Sequence, residues 1–288
     1  MISAHEGRKR MKRIVTMQDI SCIGKCSLTV VLPVISCMGV ETAVLPTAVL
    51  STEALIDGFT YHDLTSENIP IIEHWKSSGF TFDAVYTGYL GTTGLVDIAR
   101  RLFHEFGSGK LKIVDPCLGD NGILYPGFTQ EYVDAVRGLC SEADILCPNL
   151  TEACFLLNIP FHPSCTREET REILHKLSAL GAEKTVLTGI SFAEGTIGTC
   201  TYDRRTDTYA EYFTEEEPEY FQGTGDLWAG TLCGGLVSGF SFEDSAALAC
   251  DFVKESIRLT LAEEGHNTYG VNFEQAVPYL LKRLSQMK

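Results

Sequence analysis

The sequence predicts an α/β fold in which a mostly parallel central sheet carries helices on both faces and ends in an antiparallel hairpin. Three observations lead to this prediction. Short apolar, strand-like runs alternate with amphipathic helical stretches for most of the chain, a pattern typical of βαβ units with right-handed crossovers. Two β-rich segments then follow one another across a short polar turn, which indicates a hairpin at a sheet edge. Acidic and glycine-bearing motifs stand where predicted strands end, as they do around the crevice of an open parallel sheet.

The first strand is predicted over 14–17, and a helix over about 26–38 follows it. The strands predicted after it in the parallel part are 42–45, 82–87, 111–114, 145–147 and 185–187. The helices between them are predicted near 69–77, 93–106, 129–140 and 167–180.

The pattern changes in the last third of the chain. Segments 196–204 and 208–213 are β-rich and are joined by Arg205-Thr206-Asp207, so they predict the edge hairpin. Helices are then predicted over 226–238, 243–263 and 273–286. We expect one domain over 14–288 and a disordered N-terminal extension over 1–13, with translation beginning at either Met1 or Met11.

Composition narrows the class of protein. The 288 residues are 44% hydrophobic and 21% charged, which is typical of a globular chain. Neither an apolar run of about 18 residues nor an apolar signal region follows the basic N-terminus, so we expect a soluble cytoplasmic protein. The formal charge of −15 argues against nucleic-acid and anionic-membrane partners. It leaves room for a small phosphorylated ligand held by backbone N–H groups and a metal.

The chain has 11 cysteines, and none forms a Cys-x-x-Cys pair. Cys22 and Cys26 lie four residues apart, but no histidine or second cysteine pair completes a zinc site. We therefore expect reduced, mostly buried thiols in a reducing cytosol.

The first motif with chemical content is Gly223-Thr224-Gly225-Asp226. Two glycines allow a tight turn with exposed N–H groups, and the helix that begins here points its positive end at the same place. This arrangement suits an anion hole for a phosphoryl group in transfer. Asp226, in the first helical turn, is placed to accept the proton of an attacking hydroxyl. The alternative is an ordinary capped helix after a glycine turn.

The second motif runs from Asp115 to Gly122 and follows a predicted strand directly. Asp115 and Asp120 are candidate ligands for a cation or for its water molecules. Because Asp, Pro, Asn and Gly all favour turns, the same run is also compatible with a simple turn.

Two further motifs lie at strand ends. Asn149 is expected to cap a helix after Pro148, and Glu152 to lie in the first turn of that helix, either as part of the cap or facing a metal or phosphate through water. Thr188 and Gly189 end the strand 185–187. Each motif is weak alone, but a doubly wound fold gathers all four strand ends into one crevice.

Several common nucleotide-binding signatures are missing from the sequence. It has no Walker A motif and no protein-kinase HRD or DFG set. The first strand is not followed by a dinucleotide-binding glycine fingerprint, so a nicotinamide-dependent dehydrogenase is disfavoured.

Taken together, these motifs resemble the ribokinase-like superfamily, and within it the pyridoxal and pyridoxamine kinases. The resemblance extends over about 14–237. Besides the Gly223–Asp226 signature, Asn149-x-x-Glu152 and Asp115-Pro-x-x-Gly-Asp120, it rests on residues 18–29 (QDISCIGKCSLT), 45–52 (LPTAVLST) and 86–91 (YTGYLG).

The resemblance implies a three-layer ribokinase-like fold, a homodimer, and the use of ATP and Mg²⁺, often with a monovalent cation such as K⁺. It implies that Asp226 activates the 5′-hydroxymethyl group of a B6 vitamer and that Gly223, Thr224 and Gly225 form the anion hole. The other implied roles are nucleotide contact for Asp115, Asn149, Glu152, Thr188, Gly189, Thr224 and the flap residue Tyr125; metal binding for Asp115, Asp120 and Glu152; and substrate contact for Asp19, Ser51, Tyr89 and Asp226.

One departure from the family concerns the substrate loop. Relatives continue from this point into His-Thr-Gly, whereas this chain reads Glu53-Ala54-Leu55. Glu53 supplies an acceptor that is either directed to solvent or available to a cationic group on the substrate, such as the amine of pyridoxamine. The departure leaves the identity of the substrate open.

Two alternatives to a pyridoxal kinase remain. Hydroxymethylpyrimidine kinases of thiamine synthesis usually carry Gly-Thr-Gly-Cys, so Asp226 favours the pyridoxal side. A vitamin-binding homologue with impaired turnover would have no need of the base. A sugar kinase is less favoured, because the Gly-Gly runs near the N-terminus that shape sugar pockets are missing.

Overall fold

A computed structural model describes residues 10–54 and 56–287 of the chain. The strands, in chain order, are β1 (Arg13–Ser21), β2 (Glu41–Leu50), β3 (Tyr61–Asp63), β4 (Ala84–Thr87), β5 (Leu111–Val114), β6 (Gly119–Asp120), β7 (Ile123–Leu124), β8 (Ile145–Leu146), β9 (Lys184–Ile190), β10 (Thr196–Asp203) and β11 (Thr208–Glu215). The helices are α1 (Leu28–Cys37), α2 (Thr65–Ser77), α3 (Thr93–Phe106), α4 (Gln130–Cys140), α5 (Leu150–Leu157), α6 (Arg167–Ala179), α7 (Thr224–Ser238), α8 (Phe242–Leu261) and α9 (Phe273–Met287).

Nine of the strands form one sheet in the order β11-β10-β9-β8-β5-β4-β1-β2-β3. The strands from β9 across to β2 are parallel to their neighbours. The hairpin β10–β11 is antiparallel and lies at one edge, as the sequence predicts. The predicted fold class, a mostly parallel sheet with an antiparallel edge hairpin and helices on both faces, is confirmed.

The alternation of side chains along the strands divides the core into two layers. In β1, Val15 contributes to the layer that faces α2 to α6, while its neighbour Ile14 contributes to the layer that faces α1, α7 and α8. Both side chains are fully buried, because a central parallel strand is covered on both faces. A third cluster, on the far side of α1 and α7, packs α8 and α9 against them.

Helix starts follow the capping residues in the sequence. Thr92 caps α3 by accepting from the Leu95 N–H, and the helix ends at Phe106, so both predicted bounds are confirmed. The side chain of Asn149 caps α5, as predicted from the Pro–Asn pair. Thr166 caps α6 in a reciprocal pair with Glu169.

The structure also contains elements that the sequence did not predict. Strand β2 continues to Leu50, well past the predicted 42–45, through Pro46. A proline usually interrupts a sheet, but here the register between β1 and β2 shifts next to Gln18, which is paired with Pro46. The short strand β3 adds a second antiparallel edge beside β2, and β6 and β7 form a separate small hairpin.

Most of the extension predicted over 1–13 lies outside the described residues. Of its described part, Arg10 and Lys12 form ion pairs with Asp83, and Arg13 begins β1. In the part of the chain that the structure describes, no helix combines the length and the apolar character that crossing a membrane requires.

The packing of α7 between the sheet and α8 predicts a strong dependence of stability on Leu232. Its side chain is fully buried in the layer formed with α1 and α8. We expect Leu232→Ala to lower the free energy of unfolding by about 2–5 kcal/mol, because it removes buried methyl groups and leaves a cavity. Leu281→Ala is the matched control, since Leu281 is 46% exposed on α9, and it should change stability by less than about 0.5 kcal/mol. Denaturant unfolding of both variants measures the difference, and equal losses would contradict the packing described.

Candidate functional site

The predicted site residues gather at one edge of the sheet, where the parallel strands end. Asp19 lies near the end of β1, Tyr89 follows β4, and Asp115 follows β5 directly. Asn149 follows β8, and Thr188 lies in the second half of β9 and is bridged to Asn149. The candidate residues therefore share one edge, because parallel strands bring their carboxyl ends together.

The amino ends of β5, β8 and β9 border a polar groove of about 660 Å³ at the opposite edge of the sheet. Two of its three lysines pair with acidic side chains. Lys112 pairs with Asp144, and Lys184 pairs with Asp203 at 2.5 Å. This groove offers compensated surface charges rather than a set of reactive groups.

The N-terminus of α7 is fixed by a close backbone approach at Gly223. Gly223 caps the helix with φ 75°, a left-handed conformation that favours glycine. A Cβ at this position would lie 1.7 Å from the Lys25 carbonyl oxygen, so only glycine fits. Gly225, by contrast, faces open space. The helix start is thereby held against the loop that follows β1.

Asp226, in the first turn of α7, is partly buried beside that loop. Burial raises the pKa of its carboxyl group to about 7, while a hydrogen bond from the Ser27 backbone opposes the rise and the charge of Asp19 adds to it. A carboxylate with a pKa near neutrality is suited to accept a proton from a hydroxyl group. The side chain of Thr224 is directed back to the Phe221 carbonyl (3.0 Å), which closes the turn before α7.

Asp115 lies opposite Asp226. An oxygen of each carboxylate and the sulfur of Cys117 lie within 4.8 Å of one another. Asp115 is 8% exposed, and burial together with the negative charges of Glu152 and Asp226 raises the pKa of its carboxyl group well above the ordinary value. Two carboxylates held this close favour a bound cation or a shared proton.

Asn149 and Glu152 form a capping box on α5. The Asn149 side chain accepts from the Glu152 N–H (2.9 Å), and Glu152 accepts from the Asn149 N–H (2.9 Å). The second carboxylate oxygen of Glu152 accepts from the Leu118 N–H (2.9 Å). Burial raises the pKa of Glu152 to about 7, against these backbone hydrogen bonds. The capping interpretation of Glu152 is therefore confirmed, and its charge still acts on Asp115.

The hairpin β6–β7 stands above this edge. Asp120 is held by the Asn121 N–H (2.8 Å) and by the Tyr220 hydroxyl (2.9 Å), and it is not one of the three grouped ligand atoms around Asp115. Tyr125 follows the hairpin and donates its N–H to the Leu118 carbonyl. Burial, followed by the charge of Glu152, raises the pKa of Tyr125.

Asp19 is 5% exposed and is held by two hydroxyl groups. Ser27 donates to one carboxylate oxygen (2.6 Å) and Ser21 to the other (3.3 Å). Burial nevertheless raises the pKa of Asp19. Tyr89 stacks on Phe128 with the ring centroids 5.7 Å apart, and burial and the charge of Asp19 raise its pKa to about 12. The two predicted substrate contacts are therefore neighbours.

The loop after β2 carries Ser51 and Glu53, which the family resemblance connects with the substrate. Ser51 closes the loop, since it exchanges backbone and side-chain hydrogen bonds with Thr60. Glu53 is only 7% exposed, so most of the residue is covered by the protein. Leu55, which belongs to the altered family pattern, lies outside the described residues.

Thr188 and Gly189 lie on the other flank of the site. Thr188 donates its N–H to the Pro148 carbonyl (3.1 Å), which ties β9 to the start of α5. Gly189 has φ 68° and is exposed, with no atom within 4 Å of a Cβ built there. Open space beside a glycine at a strand end leaves room for the face of a flat ligand.

Sequence reasoning missed three residues that the structure places at the site. Cys117 lies within the quoted 115–122 motif, but nothing in the sequence shows that its φ of 45° turns the thiol toward Asp226. Ser21 and Ser27 lie within the quoted 18–29 run, and their role depends on the fold of the loop around Asp19. Glu53 was identified, but its burial was not.

The donor set fits a hard divalent cation in part. The oxygens of Asp115 and Asp226 are ligands that Mg²⁺ prefers, whereas the Cys117 thiol is not. The Tyr86 hydroxyl is buried with no partner in 10–54 and 56–287, and the charges of Asp115 and Asp226 act on it. An orphaned buried hydroxyl next to two carboxylates suits a hydrated cation at this place.

Comparison with known proteins agrees with the architecture. The sequence profile of the phosphomethylpyrimidine kinase family matches residues 32–272. Curated protein sequences give no significant match.

Solved structures are similar over nearly the whole chain. A Bacteroides thetaiotaomicron protein provisionally assigned as a phosphomethylpyrimidine kinase is 36% identical, with a TM-score of 0.91 and 96% of each chain covered. A second crystal form of it contains pyridoxal (35% identity, TM-score 0.89, 94% of this chain and 96% of that chain covered). Pyridoxal kinase from Lactobacillus plantarum is 29% identical, with a TM-score of 0.86 and 94% and 97% of the two chains covered.

The close approach at Gly223 generates a prediction about two neighbouring glycines. Gly223→Ala should destabilise the protein by at least about 1–3 kcal/mol, because the left-handed conformation and the Lys25 carbonyl both oppose a side chain. Gly225→Ala should be neutral or slightly stabilising, because its Cβ meets open space inside a helix. Thermal and denaturant unfolding of the two variants test this. Equal stability of both variants would show that Gly223 does not lock the helix start.

Proposed function

Since the chain belongs to the phosphomethylpyrimidine kinase family and is a small-molecule kinase, we propose that it phosphorylates the 5′-hydroxymethyl group of a B6 vitamer with ATP. The observation that carries this proposal is Asp226, a partly buried carboxylate with a pKa of about 7 at the glycine-bounded start of α7. A base at a helix N-terminus can take a hydroxyl proton next to donors that hold phosphoryl oxygens.

In the proposed reaction the acceptor hydroxyl oxygen attacks the γ-phosphorus of ATP. A bond forms between that oxygen and phosphorus, the bond from phosphorus to the ADP oxygen breaks, and ADP leaves with its electron pair. The hydroxyl proton passes to the Asp226 carboxylate. The backbone N–H groups of Thr224 and Gly225, together with the α7 dipole, receive the negative charge on the transferred group.

The acidic edge requires positive charge before a polyphosphate can approach it. Asp115 and Glu152 are negative when ionised, and Asp226 must be ionised to act as a base. Bound Mg²⁺ would neutralise phosphate charge and bridge it to the protein. We propose that Asp115 contacts the hydrated cation, that Glu152 orients the 118–119 backbone around it, and that Asp120 acts only through water.

We assign the remaining nucleotide contacts to the flank formed by β9 and the hairpin. The open space at Gly189 suits the face of the nucleotide, with Thr188 and Asn149 beside it. Tyr125 would cover the phosphates from the hairpin side.

The family resemblance also supports three further proposals: a homodimer, the use of a monovalent cation such as K⁺, and a cytoplasmic location. Size-exclusion chromatography tests the homodimer, and assays in K⁺ or Na⁺ buffers test the monovalent cation.

The relatives support a B6 vitamer as acceptor. The Bacteroides thetaiotaomicron protein holds pyridoxal in one crystal form and shares 35% of its sequence with this chain. The Lactobacillus plantarum relative is a pyridoxal kinase. Hydroxymethylpyrimidine remains the second candidate acceptor, because the matching family profile is named for phosphomethylpyrimidine kinases. A turnover-impaired vitamin binder is less favoured, since Asp226 and the glycine turn are intact.

An ATP-consumption assay with pyridoxal, pyridoxamine, pyridoxine and hydroxymethylpyrimidine tests the proposed function, with product phosphate esters identified by mass spectrometry. We expect turnover of at least one B6 vitamer that stops in excess chelator. Exclusive turnover of hydroxymethylpyrimidine would replace the proposal with the second candidate. Binding of vitamers without any turnover would support the impaired binder.

Asp226→Asn should lower kcat by about 10²–10⁴-fold, the usual weight of general-base catalysis, with little change in the KM for ATP. The amide keeps the size of the side chain but cannot accept the proton. Asp97→Asn, an exposed position on α3, removes the same charge elsewhere and should leave kcat unchanged. Steady-state kinetics of both variants test this prediction. If Asp226→Asn retains more than about half of the native kcat, Asp226 is not the catalytic base.

The raised pKa of Asp226 also predicts the direction of the pH profile. The base must be unprotonated, and its pKa is about 7, so kcat/KM should rise as pH increases from 6 to 8 and should fall about tenfold per pH unit well below 7. Because Asp115, Glu152 and Asp19 share the site, the observed inflection belongs to the set as a whole. A flat profile between pH 5.5 and 8 would contradict the role of a desolvated carboxylate base.

A further inference from the structure

Three donor atoms of mixed kind lie together between the end of β5 and the start of α7. One oxygen of Asp115, one oxygen of Asp226 and the sulfur of Cys117 are all within 4.8 Å of one another. In the part of the chain that the structure describes, the His, Cys, Asp and Glu side chains form no other group of three this close. Ligand atoms on one zinc ion are about 3–4 Å apart, because each lies about 2.0–2.3 Å from the metal. Small side-chain shifts therefore bring all three donors to one ion.

Separate backbone contacts hold these donors in place. The Asp115 N–H donates to the Thr87 carbonyl (2.9 Å). Cys117 adopts a left-handed conformation with φ 45°, and Glu152 accepts from the N–H of the residue that follows it (2.9 Å). Asp226 lies in the first turn of α7. A site whose ligands are fixed in this way needs little reorganisation to bind an ion.

A buried hydroxyl group without a partner is directed to the same place. Tyr86 is fully buried, and its hydroxyl group has no hydrogen-bond partner among residues 10–54 and 56–287. Its ring lies in the layer below α7, and the next residue of β4 accepts from the Asp115 N–H. Burial, followed by the charge of Asp115, raises the pKa of this hydroxyl group, and the charges of Asp226 and Cys117 add to the rise. Such a group is normally completed by a ligand or a water molecule, so it can serve a water molecule bound to an ion.

The sulfur of Cys117 determines which kind of cation the group prefers. Mg²⁺ prefers oxygen ligands and keeps several of its water molecules, whereas a thiolate favours Zn²⁺ and similar soft ions. Cys117 is only partly buried, so an ion can reach its sulfur. Two carboxylates, a thiolate and one water molecule complete the four-coordinate set that Zn²⁺ adopts. The thiol proton passes to solvent when the sulfur binds the ion.

We propose that Asp115, Cys117 and Asp226 form a binding site for a thiophilic divalent cation such as Zn²⁺, and that the bound ion inhibits phosphoryl transfer. The inhibition rests on the proposed function, because an ion on the Asp226 carboxylate occupies the oxygen that would accept the hydroxyl proton. The site needs the sulfur of Cys117, which the hydrated Mg²⁺ proposed beside Asp115 does not. Zn²⁺ and Mg²⁺ therefore compete for Asp115.

Metal titration of the reduced, nucleotide-free protein tests the site directly. The native protein and Cys117→Ser are titrated with Cd²⁺, whose bond to a thiolate gives an ultraviolet charge-transfer band, and with Zn²⁺ by calorimetry. Serine keeps the shape of the side chain and replaces the soft sulfur with a hard oxygen. We expect the variant to lose the band of the tight Cd²⁺ site and to bind Zn²⁺ at least about tenfold more weakly. Equal Zn²⁺ affinity of the two proteins would overturn the proposal.

Cys37→Ser is the matched control, because Cys37 is an exposed thiol at the end of α1. This variant should bind both ions as the native protein does, and a loss equal to that of Cys117→Ser would assign the binding to surface thiols and contradict the site. Asp115→Asn removes a different donor and keeps the test available if Cys117→Ser does not fold. It should also weaken Zn²⁺ binding, and an unchanged affinity would again overturn the proposal.

Kinase assays test the inhibition, with saturating Mg²⁺ and ATP, an acceptor that the native protein turns over, and buffered free Zn²⁺. We expect Zn²⁺ to inhibit the native protein, a zinc-selective chelator to restore its activity, and Cys117→Ser to need at least about tenfold more Zn²⁺ for the same inhibition. Equal inhibition of both proteins, or Zn²⁺ binding that leaves the native activity unchanged, would refute the inhibitory role. If no acceptor is turned over, the kinase proposal fails, and the Cd²⁺ and Zn²⁺ titrations still decide whether the metal site exists.

Discussion

The close contact between Gly223 and the Lys25 carbonyl determines how the two halves of the site meet. Gly223 caps α7, which carries Asp226, and Lys25 lies between Ser21 and Ser27, the two residues whose hydroxyl groups hold Asp19. The C-terminal part of the chain secures this loop, because the Lys25 N–H donates to the Tyr269 carbonyl and its ammonium group binds the start of α9. The base and the substrate side are therefore positioned by backbone contacts rather than by long flexible side chains, which reduces the reorganisation that a reaction would require.

Negative charge is the second constraint on the site. The charges of Glu152 and Asp226 both act on Asp115, and burial raises the pKa of each of these three carboxyl groups. Asp19 differs because two serine hydroxyls hold it, yet burial still dominates. An arrangement that desolvates several carboxylates gains little for the folded protein itself. It is useful only when a cation or a proton is brought to it, so these electrostatics favour a hydrated metal on the nucleotide side of the site.

The sequence predicted those features that depend on local chemistry. Thr92 and Asn149 act as helix caps whatever surrounds them, so the starts of α3 and α5 were predictable. The gathering of the candidate residues at one edge followed from the parallel sheet alone. The sequence could not predict features that depend on tertiary packing, such as the burial of Glu53 beneath the segment after β1 and the turn that directs Cys117 toward Asp226. The prediction ended β2 at residue 45 because a proline at position 46 usually interrupts a strand. In the structure, the register shift beside Gln18 accommodates Pro46 and the strand continues.

The desolvated carboxylates also link the site to stability. The pKa values of Asp226 and Glu152, each about 7, lie above the ordinary values of 3.8 and 4.5. Between those ordinary values and about pH 7 the folded protein holds more protons than the unfolded chain, so these two groups lower stability as pH rises through that window. Above pH 7 both carboxyl groups are ionised in the folded protein and in the unfolded chain, and the full free-energy cost of burying their charges remains. A cation that binds only the folded protein offsets this cost by an amount that grows with the logarithm of its concentration relative to its dissociation constant. The ligand-free site is thus least favourable at the pH at which the base is active, and binding of a cation offsets part of the cost of desolvating these carboxylates.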